Sequence, residues 1–469
     1  MELYNKKLLL LLSFSPVVLN AENVSNSVKK NVIFIAVDDL RPELNCYGAN
    51  HMFTPHIDEM AKQGIVFNRA YCNIPVSGAS RASLMTGTRP TKNTFLNHKT
   101  VAEQQKPDKI ALNDYLQSLG YRTEVRGKVF HNSNDHKDGW DMRHPSFPPQ
   151  YLSEQNLKVS LKGRGAPYEC MDVHDTVYAE GKRVLAAIKD LERLSKSGQP
   201  FFYGLGFIKP HLPFTAPKKY WDMYEGKVQL PDNYTLKDGN AIPAKAFHNW
   251  GELRTYYGVP KSGPVSDEEA LKLIQGYRAC VSYVDAQIGK LLDEIKRIGL
   301  DKNTIIVLWG DHGWSLGEHG LWCKHTILET MLHSPLIIID PTVKLNGKSC
   351  NEVVEFVDIF PTVCDAIGVD IPEQCEGESL YPLMNDDKIK SKGYAVSRWG
   401  QGYTLVTDDN FFYTEWWDED KQAVEKMLFD HTLDLHENFN VVSDIKYKNR
   451  IKEMSEQLKK CIGADFDKY

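Results

Sequence analysis

Two adjacent carboxylates, Asp38 and Asp39, close the apolar run KNVIFIAVDDL. Ionised together they repel each other, and behind a strand buried on both faces they call for a cation. A single aspartate there would read as a helix cap or a solvated turn. A second cluster, WGDHGWSLGEHG, repeats the arrangement: Asp311 and His312 end another apolar run, among glycines that let a ligand approach the backbone. Three carboxylates with further oxygen donors suit a hard ion, Ca2+ or, as the alternative, Mg2+. His312 is either a weaker ligand of that ion or a contact to substrate. Zinc, which prefers more histidine or cysteine, ranks behind.

The stretch PVSGASRASLMTGTRP (75–90) gathers Ser77, Ser80, Arg81, Thr86 and Arg89 without a single acid. With Ser77 at or just before a helix start, the following N–H groups and the helix dipole face whatever the serine touches. Arg81, four residues on, falls on the same helical face. A nucleophilic oxygen, a guanidinium fork and a helix N-terminus together suit a tetrahedral oxyanion, phosphate or sulfate. An isolated serine there would be an ordinary cap. GKVFH adds Lys128 and His131, IKPHLPF adds Lys209 and His211, and LWCKH adds Lys324. Each alone reads as a solvated surface residue. Gathered at one sheet edge beside a metal, they would neutralise a dianion-like transition state.

The elements that must position these residues are legible in the hydrophobic period. KNVIFIAVDDL, FFYGLGFIKPH, NTIIVLWGDHG and SPLIIID are continuous apolar strands, each running out into a polar or charged cluster. Between them TPHIDEMAKQGIVFNRAY and IALNDYLQSLG carry helical spacing, and 269–299 reads as one long helix or two. Strands alternating with helices predict an α/β fold with a mainly parallel sheet covered on both faces, its ligands bound beyond the carboxyl ends of the strands. The stretch 212–268, rich in Pro, Gly, Tyr and Trp, reads as long ordered loops over that face. From about Gly393 short alternating strands and a closing helix predict a smaller C-terminal α+β subdomain over 393–469, after a catalytic domain over 28–392.

The chain of 469 residues carries a net charge of −6 and no dense Lys/Arg run, which argues against nucleic acid as a partner. MELYNKKLLLLLSFSPVVLNA has the shape of a secretory signal over residues 1–21, so an exported protein, periplasmic or extracellular, is expected. No later segment reads as long and apolar enough to span a bilayer. The nine cysteines are scattered without CxxC, and the odd count leaves at least one free thiol.

SGASRASLMTG resembles the signature of the type I sulfatases, whose first signature residue is converted to formylglycine. VDDLRPELNCYG, TPHIDEMAKQGIVFNRAY, GKVFH, KPHLPF and GDHGWSLGEHGLWCK extend the resemblance, and several of them, with LFDHTLDLHENFNV, look most like the iduronate-2-sulfatase branch. Ala79 stands where proline is commoner, and Ser77 where most members have cysteine. A serine precursor is typical of bacterial members and implies a dedicated formylglycine maturase as a transient partner.

The resemblance implies an alkaline-phosphatase-like α/β sandwich with a smaller C-terminal antiparallel sheet. It implies Asp38, Asp39, Asp311 and His312 as metal ligands, with Ser77, once 3-oxoalanine, as a further one. Arg81 would hold the modified residue, Lys128 and Lys324 would grip sulfate oxygens, His131 would be the base for sulfate release, and His211 the acid for the leaving oxygen. The chemistry explains why the serine must change. A serine that attacked a sulfate ester would become an equally stable sulfate ester, whereas an aldehyde hydrate has a second hydroxyl with which to expel sulfate. The implied substrate is a sulfated oligosaccharide carrying a 2-O-sulfate on a uronic acid, saturated or unsaturated, from glycosaminoglycans. Lys209, Arg41 or a loop residue near His248 would meet its carboxylate. The competing readings are a phosphatase or phosphodiesterase using unmodified Ser77, which would generally need a second metal cluster, and a non-catalytic binder of sulfated sugars, which would need no acid–base groups.

Overall fold

The computed structural model describes residues 29–147, 150–418 and 422–467. The proposed signal segment, 1–21, lies outside the described residues. The apolar runs assemble into one eight-stranded sheet in the order Ser349–Glu355, Ile65–Tyr71, Leu336–Ile339, Thr304–Gly310, Asn31–Val37, Phe201–Phe207, Arg122–Gly127, Met142–Arg143. Asn31–Val37 lies at the centre, parallel to both neighbours, with Val32 to Val37 fully buried. Burying each such Val, Ile or Phe side chain contributes about 1.5–3 kcal/mol, which is why a continuous rather than alternating run reads as a central strand.

Helices Ala179–Ser195, Asp267–Arg297 and Pro55–Gln63 pack in one group, and Ser77–Thr86, Leu112–Ser118 and Ile359–Ile367 in another. The 269–299 segment resolves as a single helix, Asp267–Arg297, opened by Ser266, whose side chain accepts from the Glu269 N–H.

One strand departs from the expected direction. Leu336–Ile339 runs antiparallel to both neighbours; the segment joining it to Thr304–Gly310 carries a short hairpin, Ser315–Leu316 with Trp322–Cys323, and the four-residue helix Glu329–Leu332 in place of a crossover helix. SPLIIID therefore delivers its terminal acid to the opposite edge, where Asp340 pairs with Lys30 at 2.6 Å.

After Gly393 comes a four-stranded antiparallel meander, Tyr394–Trp399, Gly402–Thr407, Phe411–Trp417 and Ala423–Asp430, closed by helix Lys448–Asp467. Leu405, Tyr413 and Leu428 face Met454 and Leu458 of that helix, while Val406, Phe412 and Phe429 join the main core. The meander is thus a layer packed on both faces. Its seam with the main sheet centres on Glu355, which accepts from the Val396 N–H (2.8 Å) and from Asn73 (3.0 Å) and pairs with Lys392 and Arg89.

Candidate active site

Ser77 is the first residue of a ten-residue helix that is buried along its whole length. Its small side chains allow that burial: a Cβ at Gly78 would lie 2.5 Å from the His98 carbonyl oxygen, so the covering loop can close only on glycine. The Ser77 hydroxyl lies 3.1 Å from Asp38 Oδ1 and 3.0 Å from His312 Nε2. His312 Nδ1 donates to the Gly313 carbonyl at 2.8 Å, which turns Nε2 towards Ser77, Asp39 (3.4 Å) and Asp311 (3.7 Å).

Asp38 and Asp39 follow directly on the central strand, and Asp311 and His312 on its neighbour Thr304–Gly310, so parallel pairing brings the two acidic ends together. Asp39 adopts a left-handed conformation, φ 60°, anchored by its own N–H donating to Asp311 Oδ1 at 3.0 Å and by the Tyr277 hydroxyl donating to its carbonyl at 2.9 Å. Asp38, Asp39 and Asp311 are fully buried. Burial works against ionisation of all three. For Asp38 the opposing cations, Lys128 and Arg81 foremost, win and hold the carboxyl well below the usual range. For Asp39 burial prevails over Lys324 and His211, and the carboxyl is raised.

Arg81 is fully buried beneath this cluster. Its Nε donates to Asp311 Oδ2 (2.8 Å), Nη2 to Asp38 Oδ1 (3.1 Å) and Nη1 to the carbonyls of Lys128 (2.5 Å) and Val129 (2.9 Å). With its fork occupied in this way, Arg81 positions carboxylates rather than reaching the Ser77 hydroxyl. Lys128 follows Gly127, whose φ of 83° turns the chain at the strand end, and its ammonium pairs with Asp38. Lys324 pairs with Asp39 at 2.7 Å.

His211 sits in a turn with cis peptide bonds before Pro210 and Pro213. Its Nδ1 donates to the Leu212 carbonyl (2.6 Å) and its Nε2 lies 2.9 Å from Glu252 and 3.8 Å from Asp39. Burial would lower its pKa, but Asp39 and Glu252 together raise it above the usual histidine value. His131 behaves oppositely: burial first, then Lys128, pushes it down to about 3, and its Nδ1 has no hydrogen-bond partner among the described residues.

Every site residue expected from the sequence except His131 is joined to another by a hydrogen bond or ion pair. Lys209 and Arg41 are not placed for a substrate carboxylate. The Lys209 ammonium is buried, donates to the His211 and Pro213 carbonyls at 2.9 and 2.6 Å, and staples the turn. Arg41 pairs with Glu318 at 2.7 Å. Glu252 is the partner that sequence reasoning missed. It bridges His211 and Lys324 (3.2 Å), and those cations outweigh burial to hold its carboxyl well below the usual range. It lies in the aperiodic 212–268 stretch, where nothing in the spacing marks it. His325 and Trp399 were missed as well, their rings 5.1 Å apart beside Lys324.

Asp39 Oδ2 is buried without a hydrogen-bond partner among the described residues. Asp39, Asp311 and His312 present ligand atoms close enough to share an ion, and Asp38 belongs to an overlapping group with Asp39 and His211. This set fits a divalent, oxygen-preferring cation.

The sulfatase family model matches residues 30–369, and the model for the N-sulphoglucosamine sulphohydrolase C-terminal region matches 317–463. The chain belongs to the sulfatase family. As a sulfatase it is a sulfuric ester hydrolase, built on an alkaline-phosphatase-like sheet. Human iduronate 2-sulfatase is 31% identical over 79% of this chain and 75% of its own. A solved structure described as a complex with its substrate D-glucosamine-2-N,6-O-disulfate aligns over 94% of this chain and 98% of that one, with a TM-score of 0.76 and 23% identity. The phosphonate monoester hydrolase of Silicibacter pomeroyi aligns equally well, TM-score 0.76 over 92% of this chain and 95% of that one at 23% identity, so the fold by itself does not choose sulfur over phosphorus.

Proposed function

We propose that this sulfatase removes the 2-O-sulfate of a uronic acid, saturated or unsaturated, from glycosaminoglycan fragments, outside the cytoplasm. The observation that carries the reading is the position of Ser77 at a buried helix start, its hydroxyl within 3.1 Å of both Asp38 and His312. The similarity to human iduronate 2-sulfatase supports the choice of sugar and position.

Oxidised to formylglycine by a maturase and hydrated, residue 77 would supply one hydroxyl to attack sulfur and a second whose deprotonation expels sulfate. Asp38, Asp39, Asp311 and His312 would hold a divalent cation, Ca2+ or Mg2+, which supplies positive charge to the sulfate oxygens. Lys128 and Lys324, paired with Asp38 and Asp39 respectively, would bind the remaining oxygens. Arg81 holds Asp38 and Asp311 in place from beneath. His211, whose pKa Asp39 and Glu252 raise against burial, would give its proton to the departing sugar oxygen. His131, neutral at physiological pH, takes the proton that releases sulfate. A positioned acid or base of this kind contributes about 10²–10⁴-fold to rate.

The mass of the tryptic peptide Ala70 to Arg81, from protein made with a serine-type maturase, tests the nucleophile: the expected result is the loss of one hydrogen pair with aldehyde reactivity. The same protein should release sulfate from a 2-O-sulfated unsaturated uronate disaccharide faster than from 6-O-sulfated glucosamine or, with zinc added, from a phosphate diester. An unmodified serine with phosphodiesterase activity would reverse the assignment.

A further inference from the structure

His211 forms part of the wall of a cavity of about 380 Å3 that also borders Tyr151, Arg164 and Tyr256. Gly163, Arg164 and Tyr256 are shared with a second cavity of about 770 Å3, bordered by Lys158, Lys162 and Lys261. No acid lines either cavity, although acids outnumber Lys and Arg by 62 to 56 in the whole chain. The exposed guanidinium of Arg164 lies 4.9 Å from the Tyr256 ring centroid and donates to the Tyr256 hydroxyl at 2.9 Å. That stack holds the fork in one orientation while leaving most of its donors free. Among the described residues Lys158 pairs only with Glu154 of its own helix, at 2.6 Å. Among the described residues no carboxylate pairs with Lys162, Arg164 or Lys261.

We propose that this trough binds the continuation of a sulfated oligosaccharide beyond the sugar being desulfated, with Arg164 as the residue that recognises the first anionic group past the leaving oxygen. The inference rests on the reading above in one respect: the acid His211 must stand on the leaving-group side, so the rest of the substrate emerges where His211 meets the trough. A fixed, half-solvated guanidinium suits a carboxylate or sulfate held by two parallel hydrogen bonds. Lys162 and Lys261 lie further along and take charges on the following residues. The enzyme therefore favours oligosaccharides over disaccharides.

Two measurements on the full chain test this separately from the reaction. The first uses Ser77→Ala protein, which cannot turn over, titrated calorimetrically with a heparan-sulfate hexasaccharide at low salt. Arg164→Ala should weaken binding about tenfold, the scale of one lost charge-assisted contact, and Lys162→Glu should weaken it further. Unchanged affinity in both variants overturns the trough, whatever the enzyme hydrolyses. The second compares kcat and KM of the matured enzyme on 2-O-sulfated disaccharide, tetrasaccharide and 4-nitrocatechol sulfate. Arg164→Ala should raise KM for the tetrasaccharide about tenfold and leave hydrolysis of the small aryl sulfate unchanged. An equal loss on the aryl sulfate would mean that Arg164 supports the site as a whole and would overturn its role in recognition. If wild-type enzyme cleaves the aryl sulfate but no sulfated sugar, the proposed substrate fails while the binding result stands on its own.

Discussion

Glu252 joins His211, the proposed proton donor, to Lys324, a proposed sulfate ligand, and its loss should be visible in a pH profile. His211 has its pKa raised in the folded enzyme by Asp39 and Glu252, so the protonated, proton-donating form persists as pH rises through the usual histidine value. Glu252→Gln removes one of those two carboxylates, and the alkaline limb of kcat/KM should move to lower pH while the rate at acid pH stays near wild type. At pH 8 a decrease of about tenfold is expected, a fraction of what a positioned acid supplies. An unmoved alkaline limb would assign the proton to another group. Lys128 allows a cleaner substitution, because its side chain is partly exposed and Asp38 keeps Arg81 as a second partner. Lys128→Ala should lower kcat by about 10²–10³-fold with an unchanged melting temperature. Turnover near wild type would remove Lys128 from the sulfate-binding set.

The elements meet the site through two seams. At one, Glu355 at the end of an edge strand pairs with Arg89 and Lys392 and is held down to about 2, because these cations outweigh the burial that would raise it. A carboxyl whose folded pKa lies below its unfolded one contributes stability above the unfolded value, and that stability is lost as pH falls from roughly 4.5 towards 2. Glu355→Gln should therefore cost about 3 kcal/mol at neutral pH, leave Lys392 and Arg89 buried without their counter-charge, and flatten the acid limb of denaturant-measured stability. At the other seam Trp399, the last residue of the first meander strand, lies against His325, adjacent in sequence to Lys324, with the two rings tilted by 30°. This contact ties the segment that carries Lys324, a proposed sulfate ligand, to the C-terminal layer. The layer is held on both faces by apolar side chains, Val406, Phe412 and Phe429 towards the main core and Leu405, Tyr413 and Leu428 towards the closing helix.

At the scale of the whole molecule, three buried carboxylates converge from two strand ends, and a divalent cation bound there is bound to the folded chain only. Ca2+ at a hundred times its dissociation constant should stabilise the protein by about 2.7 kcal/mol, raising its melting temperature by a few degrees and reversing on chelation. Asp311→Asn should abolish that response, and a variant that keeps it would place the cation elsewhere. Much of this was legible without coordinates. The central strands announced themselves because a strand covered on both faces must be apolar throughout. The acids behind Val37 and Gly310 stood out because two adjacent carboxylates repel, so a pair at the end of a buried strand calls for a cation more than a single capping aspartate would. The Ser77 stretch stood out by its residue types and spacing. What only the tertiary structure decided are the relations between segments far apart in sequence. It decided that Glu252, in a loop without period, reaches His211 and Lys324, and that Lys209 is consumed in holding its own turn. It turned Leu336–Ile339 antiparallel and joined Arg164 to the His211 wall. Periodicity reports which face of an element is buried. It carries no information about which loop closes over which strand end, because that is fixed by packing among segments hundreds of residues apart.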